Sequence, residues 1–302
     1  MALTGSQPAE NPGEESGVHP PVSPRVRRAF WWLERLAPGI GARWATELWC
    51  TVPDVDLSTK MPPGLPPSTP LEAFWNGHRV AGESWGEGPT VYLVHGWGGC
   101  RAHMAVFVKP LVAAGHRVIA FDLPSHNGSE PGALAPGRST IVECAEAVQA
   151  VVRTHGPARA IVGHSLGAKA AALAVARGTS AERLVFLAPM GGFSWYLDVF
   201  TERHGFGRRI RDRMHRRLSR RIGMQLLDTD IATLAVRAGG RPLMLVHDPD
   251  DPDSLHSASE EIVDAWPGAR LETTRGLGRL AHYRILRHRP AILAGVDFIG
   301  PA

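Results

Sequence analysis

The chain has 302 residues, 44% of them hydrophobic, with 33 Lys+Arg against 29 Asp+Glu and three cysteines. That composition is globular and excludes a chain disordered throughout. No apolar run approaches the roughly 18 residues that a membrane-spanning helix needs. Cys50, Cys100 and Cys144 are widely spaced and form neither a zinc pattern nor a disulfide framework. The N-terminus lacks the basic start and apolar centre of a secretory signal, so a cytoplasmic location is expected. The net charge of +4 is unevenly spread: residues 203–221 carry nine arginines and one acid, Asp212, so +8 sits in one segment and −4 in the rest.

Residues 1–24 are polar and proline-rich and read as a disordered tail. Arg25 to Trp49 then has Leu33, Leu36, Ile40, Trp44 and Leu48 at helical spacing, with a break at Pro38-Gly39. Four of the nine tryptophans, Trp31, Trp32, Trp44 and Trp49, lie in this stretch. It reads as a helix pair packed on the core; a membrane-interface helix is the sharper alternative, since Trp beside Arg suits that boundary. Lys60 to Pro70 is a proline-rich connector, which makes 25–70 an N-terminal extension.

From residue 71 short β-type runs alternate with Ala-rich helical ones. Leu71–Asn76 and Arg79–Trp85 read as a hairpin around Gly77-His78. Strands are expected at Thr90–His95, Arg117–Asp122, Ala158–Gly163, Arg183–Pro189, Arg241–His247 and Arg270–Thr274. Helices are expected at His103–Ala114, Ile141–His155, Leu166–Arg177, Ser257–Ala265 and Tyr283–Phe298. Apolar strands alternating with helices imply an α/β fold, a mostly parallel sheet covered on both faces. Residues 191–240 hold no clear strand and read as a helical cap. Within them Phe206, Ile210, Met214, Leu218 and Ile222 recur every four residues among arginines, the pattern of an amphipathic helix with a basic outer face.

The strongest chemical signal is Gly163-His164-Ser165-Leu166-Gly167, between an apolar strand and an Ala-rich helix. Gly-x-Ser-x-Gly in that setting is a nucleophile elbow, whose tight turn needs neighbours without bulk. A serine hydroxyl needs a base, and the base an orienting acid; in a strand–turn–helix architecture of this kind the order along the chain is Ser, acid, His. The acid should follow the strand at 243–247, where Asp248, Asp250, Asp251 and Asp253 compete. The base should follow the last strand, which selects His282; His288, inside the closing helix, reads as a surface residue. Two backbone N–H groups should hold an oxyanion: Leu166, next to the nucleophile, and Trp97, in the loop His95-Gly96-Trp97-Gly98-Gly99. Asp122 and His95 read as loop-holding residues, Cys100 as structural, and Lys169 as a side chain snorkelling outward from the elbow helix.

With these residues in order, the sequence resembles an α/β-hydrolase over about residues 71–300. The resemblance implies a triad acid four residues beyond a His-Asp at the strand end, which selects Asp251 over Asp248. Two departures stand out. Ser125 and Asn127 replace both glycines of the usual Asp-Leu-Pro-Gly-His-Gly segment, implying a reshaped loop. Arg279, Leu280 and Ala281 lengthen the loop before His282. The expected activity is a serine hydrolase of esters or thioesters that needs neither metal nor organic cofactor. A serine nucleophile argues against the dehalogenases and epoxide hydrolases of this fold, which use a carboxylate. The alternatives are acyl transfer or hydrolysis of a carrier-bound thioester, with the basic cap docking an acidic or phosphate-bearing partner, and a binding protein without turnover. The expected partner is a small-molecule acyl substrate, with a weak membrane or acidic-partner contact through the basic cap and no nucleic acid.

Overall fold

A computed structural model describes residues 22–53 and 60–302. The stretch 1–21, most of the expected tail, lies outside the described residues. Its expected last residue, Pro24, is instead the first residue of a helix, α1 (Pro24–Leu36), capped by the Ser23 hydroxyl. After the break at Pro38 the chain continues as α2 (Pro38–Cys50).

An antiparallel hairpin follows, β1 (Thr69–Trp75) and β2 (His78–Trp85), turning through Asn76 and Gly77, both at positive φ. Next come β3 (Thr90–Val94), the short helices α3 (Arg101–Met104) and α4 (Val108–Ala113), and β4 (Arg117–Phe121). The helix α5 (Ile141–His155) begins at a capping box in which Thr140 and Glu143 bond each other's backbone N–H. The chain then runs through β5 (Ala158–His164), α6 (Leu166–Ala176) and β6 (Ala181–Leu187). The segment expected as a cap folds as α7 (Phe193–His204), α8 (Arg208–Ile222) and the single turn α9 (Ile231–Leu234). The remainder is β7 (Leu243–His247), α10 (His256–Ala265), β8 (Arg270–Thr273), α11 (Ala281–Arg284) and α12 (Arg289–Ile299). The expected closing helix is therefore divided. His288 is the N-cap of α12 rather than an interior residue, and Pro290 behind it is a first-turn proline.

The eight strands lie in the order β1-β2-β4-β3-β5-β6-β7-β8, antiparallel through the hairpin and its pairing with β4, and parallel from β4 to β8. Their side chains divide the core into two layers by simple alternation. Tyr92, Ile119, Ile161, Phe186 and Leu245 face α5, α6 and the inserted helices; Val91, Val118, Val162, Val185 and Val246 face α4 and α12. The parallel strands all end at one edge, the rim where ligands bind in open α/β sheets.

The N-terminal helices pack on the insertion. Phe30 stacks on Trp44 with ring centres 4.3 Å apart and meets Phe206 at 5.0 Å. Trp49 contacts Phe193 and Phe200. A Cβ on Gly41 would lie 2.4 Å from Ile210 Cδ1, so α2 and α8 approach as closely as glycine allows. The α8 N-terminus has only Gly207 as its own cap, and Glu34 supplies the acceptor from α1. Its carboxylate takes the N–H groups of Gly207, Arg209 and Ile210 at 2.9–3.1 Å.

Candidate active site

Ser165 sits between the end of β5 and the start of α6 with φ 52° and ψ −121°, strained for a residue with a side chain. Its backbone is held on both sides: its N–H donates to Leu187 O at 3.1 Å, and its carbonyl accepts from Met190 N and Ala168 N at 3.1 Å each. The flanking glycines are required by contact. A Cβ on Gly163 would lie 2.6 Å from Ala168 Cα, and one on Gly167 would lie 2.4 Å from the carbonyl oxygens of Val94 and His95.

The acid and base expected from sequence meet. His282 Nδ1 donates to Asp251 Oδ2 at 2.8 Å, and both side chains are buried. Asp251 Oδ2 also lies 3.2 Å from His247 Nε2, while its Oδ1 accepts from Asp253 N at 2.8 Å and Ser254 N at 3.1 Å. Burial alone would push this carboxyl up. The attraction of His282 and the hydrogen bonds of both histidines outweigh it and hold Asp251 well below the usual range. His282 is the mirror case: burial opposes its cationic form, but Asp251 raises its pKa above the ordinary histidine value. Asp248 is occupied elsewhere, accepting from Asp250 N and from the Thr274 hydroxyl, each at 3.0 Å. The longer loop before His282 folds as a 3₁₀ turn over Gly278–Leu280 that runs into α11, so the extra residues become the seat of the histidine.

The residue before Ser165 contacts this pair. The ring of His164 lies 4.8 Å from that of His282, and His164 Nε2 donates to the His282 carbonyl at 2.8 Å. Burial pushes His164 down to about 3, so it is a neutral spacer. Ser165 Oγ itself makes no hydrogen bond among the described residues; nucleophile–base contacts often tighten only when substrate is bound.

The loop after β3 lies under α6. Its Gly98 N–H donates to His126 Nε2 at 3.1 Å, and Gly99 N–H to Gly96 O at 3.0 Å. The N–H groups of Trp97 and Leu166 have no acceptor among the described residues, as an oxyanion site requires. His95 Nε2 accepts from Leu123 N at 2.9 Å, tying this loop to the one after β4. Asp122 holds that second loop through Arg101 N, the Arg101 guanidinium, Asn127 Nδ2 and Gly128 N. Ser125 and Asn127 take φ of 64° and 39°, the left-handed conformation natural to the glycines they replace. Their side chains offset the strain by bonding Arg138 O and Asp122. The expected reshaping is therefore carried by side chains and not by the sign of φ.

Lys169 corrects the expectation of an outward side chain. It is fully buried, with Nζ 2.7 Å from both Gly191 O and Asp230 Oδ1. The helix α6 is buried along nearly its whole length, so no solvent-facing side is open to it. Asp230 also accepts Phe193 N at 3.0 Å, so one ion pair fixes the start of α7 and the entry to α9 against the helix that begins at Ser165. Sequence reading missed this pair, and with it His247, His164 and His126. Only His247 had a signal, as the histidine of the strand-end His-Asp. Among the described residues no group of three or more His, Cys, Asp or Glu side chains is arranged to hold a metal ion. No helix there is long and apolar enough to cross a membrane.

Comparison with known proteins agrees with this architecture. A predicted CIB-like hydrolase from Thermoplasma acidophilum is 17% identical, with a TM-score of 0.57 over 78% of this chain and 99% of its own. A meta-cleavage product hydrolase from Pseudomonas fluorescens is 17% identical, with a TM-score of 0.56 over 76% of this chain and 96% of its own. A bacterial membrane phospholipase A is 16% identical, with a TM-score of 0.56 over 89% of this chain and 96% of its own. No curated protein sequence matches the chain. At these identities the likeness is one of fold. The family model for the alpha/beta hydrolase family matches residues 91–296, and the chain belongs to that family.

Proposed function

We propose that the protein is a serine hydrolase that cleaves carboxylic esters or thioesters, with Ser165 as nucleophile, His282 as base and Asp251 as its orienting acid. The observation that carries this reading is the 2.8 Å Asp251–His282 hydrogen bond beside a serine in elbow geometry. With Nδ1–H committed to Asp251, the lone pair of His282 lies on Nε2, the nitrogen that must take the serine proton. Ser165 Oγ attacks the acyl carbon as its proton passes to Nε2. The carbonyl π electrons move to oxygen, and the N–H groups of Leu166 and Trp97 receive that oxyanion. Collapse breaks the bond to the alcohol or thiol, which leaves with the proton from His282. Water then attacks the acyl-enzyme through the same base, restoring the free serine and releasing the acid. His247 serves as a second donor to Asp251 and keeps the carboxylate ionised while His282 cycles.

The test is labelling with an active-site phosphonate together with hydrolysis of a series of aryl esters. Wild type should be labelled at Ser165. Ser165→Ala should lose the label and about a millionfold in turnover. Unchanged labelling of Ser165→Ala would overturn the assignment.

A further inference from the structure

We propose that the corner where α1 meets α2, together with the outer face of α8, is a docking surface for an anionic lipid bilayer. The apolar part is Trp31, Trp32, Leu36 and Ile40, which are 43%, 52%, 76% and 65% exposed. The two tryptophan rings meet edge to face, 4.7 Å apart. The Arg35 guanidinium lies 3.5 Å over the Trp31 ring and donates to the Trp31 carbonyl. Phe30, next in sequence, is fully buried against Trp44, so the outward set of this helix is distinct from the set that packs.

The basic part adjoins it. Arg209 Nη1 donates to the carbonyls of Glu34 and Arg35 at 3.2 Å each, which brings the first turn of α8 against the end of α1, beside Leu36. From there Arg209, Arg213, Arg216, Arg217 and Arg220 recur at i, i+4, i+7, i+8 and i+11 of one helix. Arg209, Arg213, Arg216 and Arg220 form a stripe turned away from the buried Ile210, Met214, Leu218 and Ile222, and Arg217 lies on its flank, where its charge also helps to lower the Glu47 pKa. None of the five has a carboxylate within salt-bridge distance among the described residues. The arginines nearer the packed side differ: Arg211 is paired with Asp198, and Arg221 with Glu47.

The two halves together select the partner. A nucleic acid or an acidic protein would use the arginine stripe but leave two tryptophans, a leucine and an isoleucine in water. A bilayer with anionic headgroups uses both. Its surface potential attracts the arginines, and its boundary with the acyl chains accepts apolar side chains and the amphipathic tryptophan ring. This surface is separate from the strand-end site, and its test needs no turnover, so it stands or falls apart from the assignment of Ser165.

The experiment is co-sedimentation of the full chain with vesicles of phosphatidylcholine alone or mixed with phosphatidylglycerol. Binding should require phosphatidylglycerol and fall steeply with added salt. Trp31→Ser with Trp32→Ser should weaken it at least tenfold. Replacing Arg213, Arg216, Arg217 and Arg220 by Gln should abolish it, and both variants should keep wild-type Tm and aryl-ester turnover. Should either variant fail to fold, wild type with acyl-chain-brominated lipid decides, because inserted tryptophan is quenched by it. Absence of binding to phosphatidylglycerol vesicles at low salt overturns the proposal, as does absence of quenching. Wild-type vesicle binding by the tryptophan variant, with loss of both vesicle and heparin binding by the arginine variant, would assign the surface to a polyanion instead.

Discussion

The rim of the sheet and the helical layer beside it are held by opposite means. At the rim almost every polar group is buried and committed: Asp251 faces two histidines and two backbone N–H groups, Asp122 an arginine, an asparagine and two backbone N–H groups, and His95 the loop after β4. In the helical layer aromatic stacking carries the packing, the Glu34 cap and the Arg221–Glu47 pair tie its margins, and the other arginines of α8 lie toward the outside. A satisfied polar network specifies one geometry, which catalysis needs. An apolar seam specifies only proximity, and it leaves the outer face free to carry charge.

That contrast can be broken from the rim outward. The largest expected effect is at Asp251. Asp251→Asn removes the acceptor that fixes the His282 tautomer, and kcat/KM should fall by roughly ten-thousandfold. A loss below about tenfold in aryl-ester kinetics would remove Asp251 from the triad. The same pair has a pH signature. His282 must be neutral to act as base, so kcat/KM should rise with pH through a midpoint above the ordinary histidine value of about 6.5. Because its folded pKa is raised, the stability it contributes is fully present below that value and is lost as pH climbs through the folded pKa. The depressed Asp251 contributes a constant amount there, its own loss occurring only in acid. The difference in unfolding free energy between wild type and Asp251→Asn should therefore shrink as pH rises above about 6.5; a constant difference would contradict the coupling.

Next comes the junction of the two layers. Lys169→Met leaves Asp230 without its cation and should cost on the order of 3 kcal/mol in denaturant unfolding. Asp230→Leu on the same background should recover much of it, because an apolar pair of similar volume often replaces a buried ion pair at little cost. No recovery would mean that Asp230 serves mainly as the acceptor of Phe193 N–H. The smallest effect belongs to the helical layer. Glu34→Ala removes the acceptor of three α8 N–H groups and should cost about 1 kcal/mol. Rate constants on a soluble ester should be unchanged within twofold, and a large loss of turnover would show that the layer shapes the site directly.

Much of the fold was legible because local signals agreed with it. The expected bounds of α5 are the observed ones, since a capping box and a terminal glycine mark both ends. The apolar strands fell within about two residues for the same reason: their runs are short and bounded by polar turns. What was illegible depended on partners distant in sequence. The fate of Lys169 is decided by Gly191 and Asp230, 22 and 61 residues on. His247 reads as a strand terminus until the turn after β7 brings Asp251 back onto it. The packing of α1 and α2 on α7 and α8 joins segments about 170 residues apart, which no local pattern announces.

The Glu34 cap of α8 also sets an order of assembly. Helices α1 and α2 leave the ribosome well before α8, because the N–H groups that Glu34 accepts belong to residues 173–176 places later. Until those emerge, the apolar side of the pair, Phe30 and Trp44 included, has no lasting cover. Closing so long a loop is slow, and exposed aromatic surface invites association in the interval. The nascent chain should therefore be most vulnerable to aggregation in the interval before α8 emerges, when six of the eight strands are already made and α1 and α2 still wait for their partner.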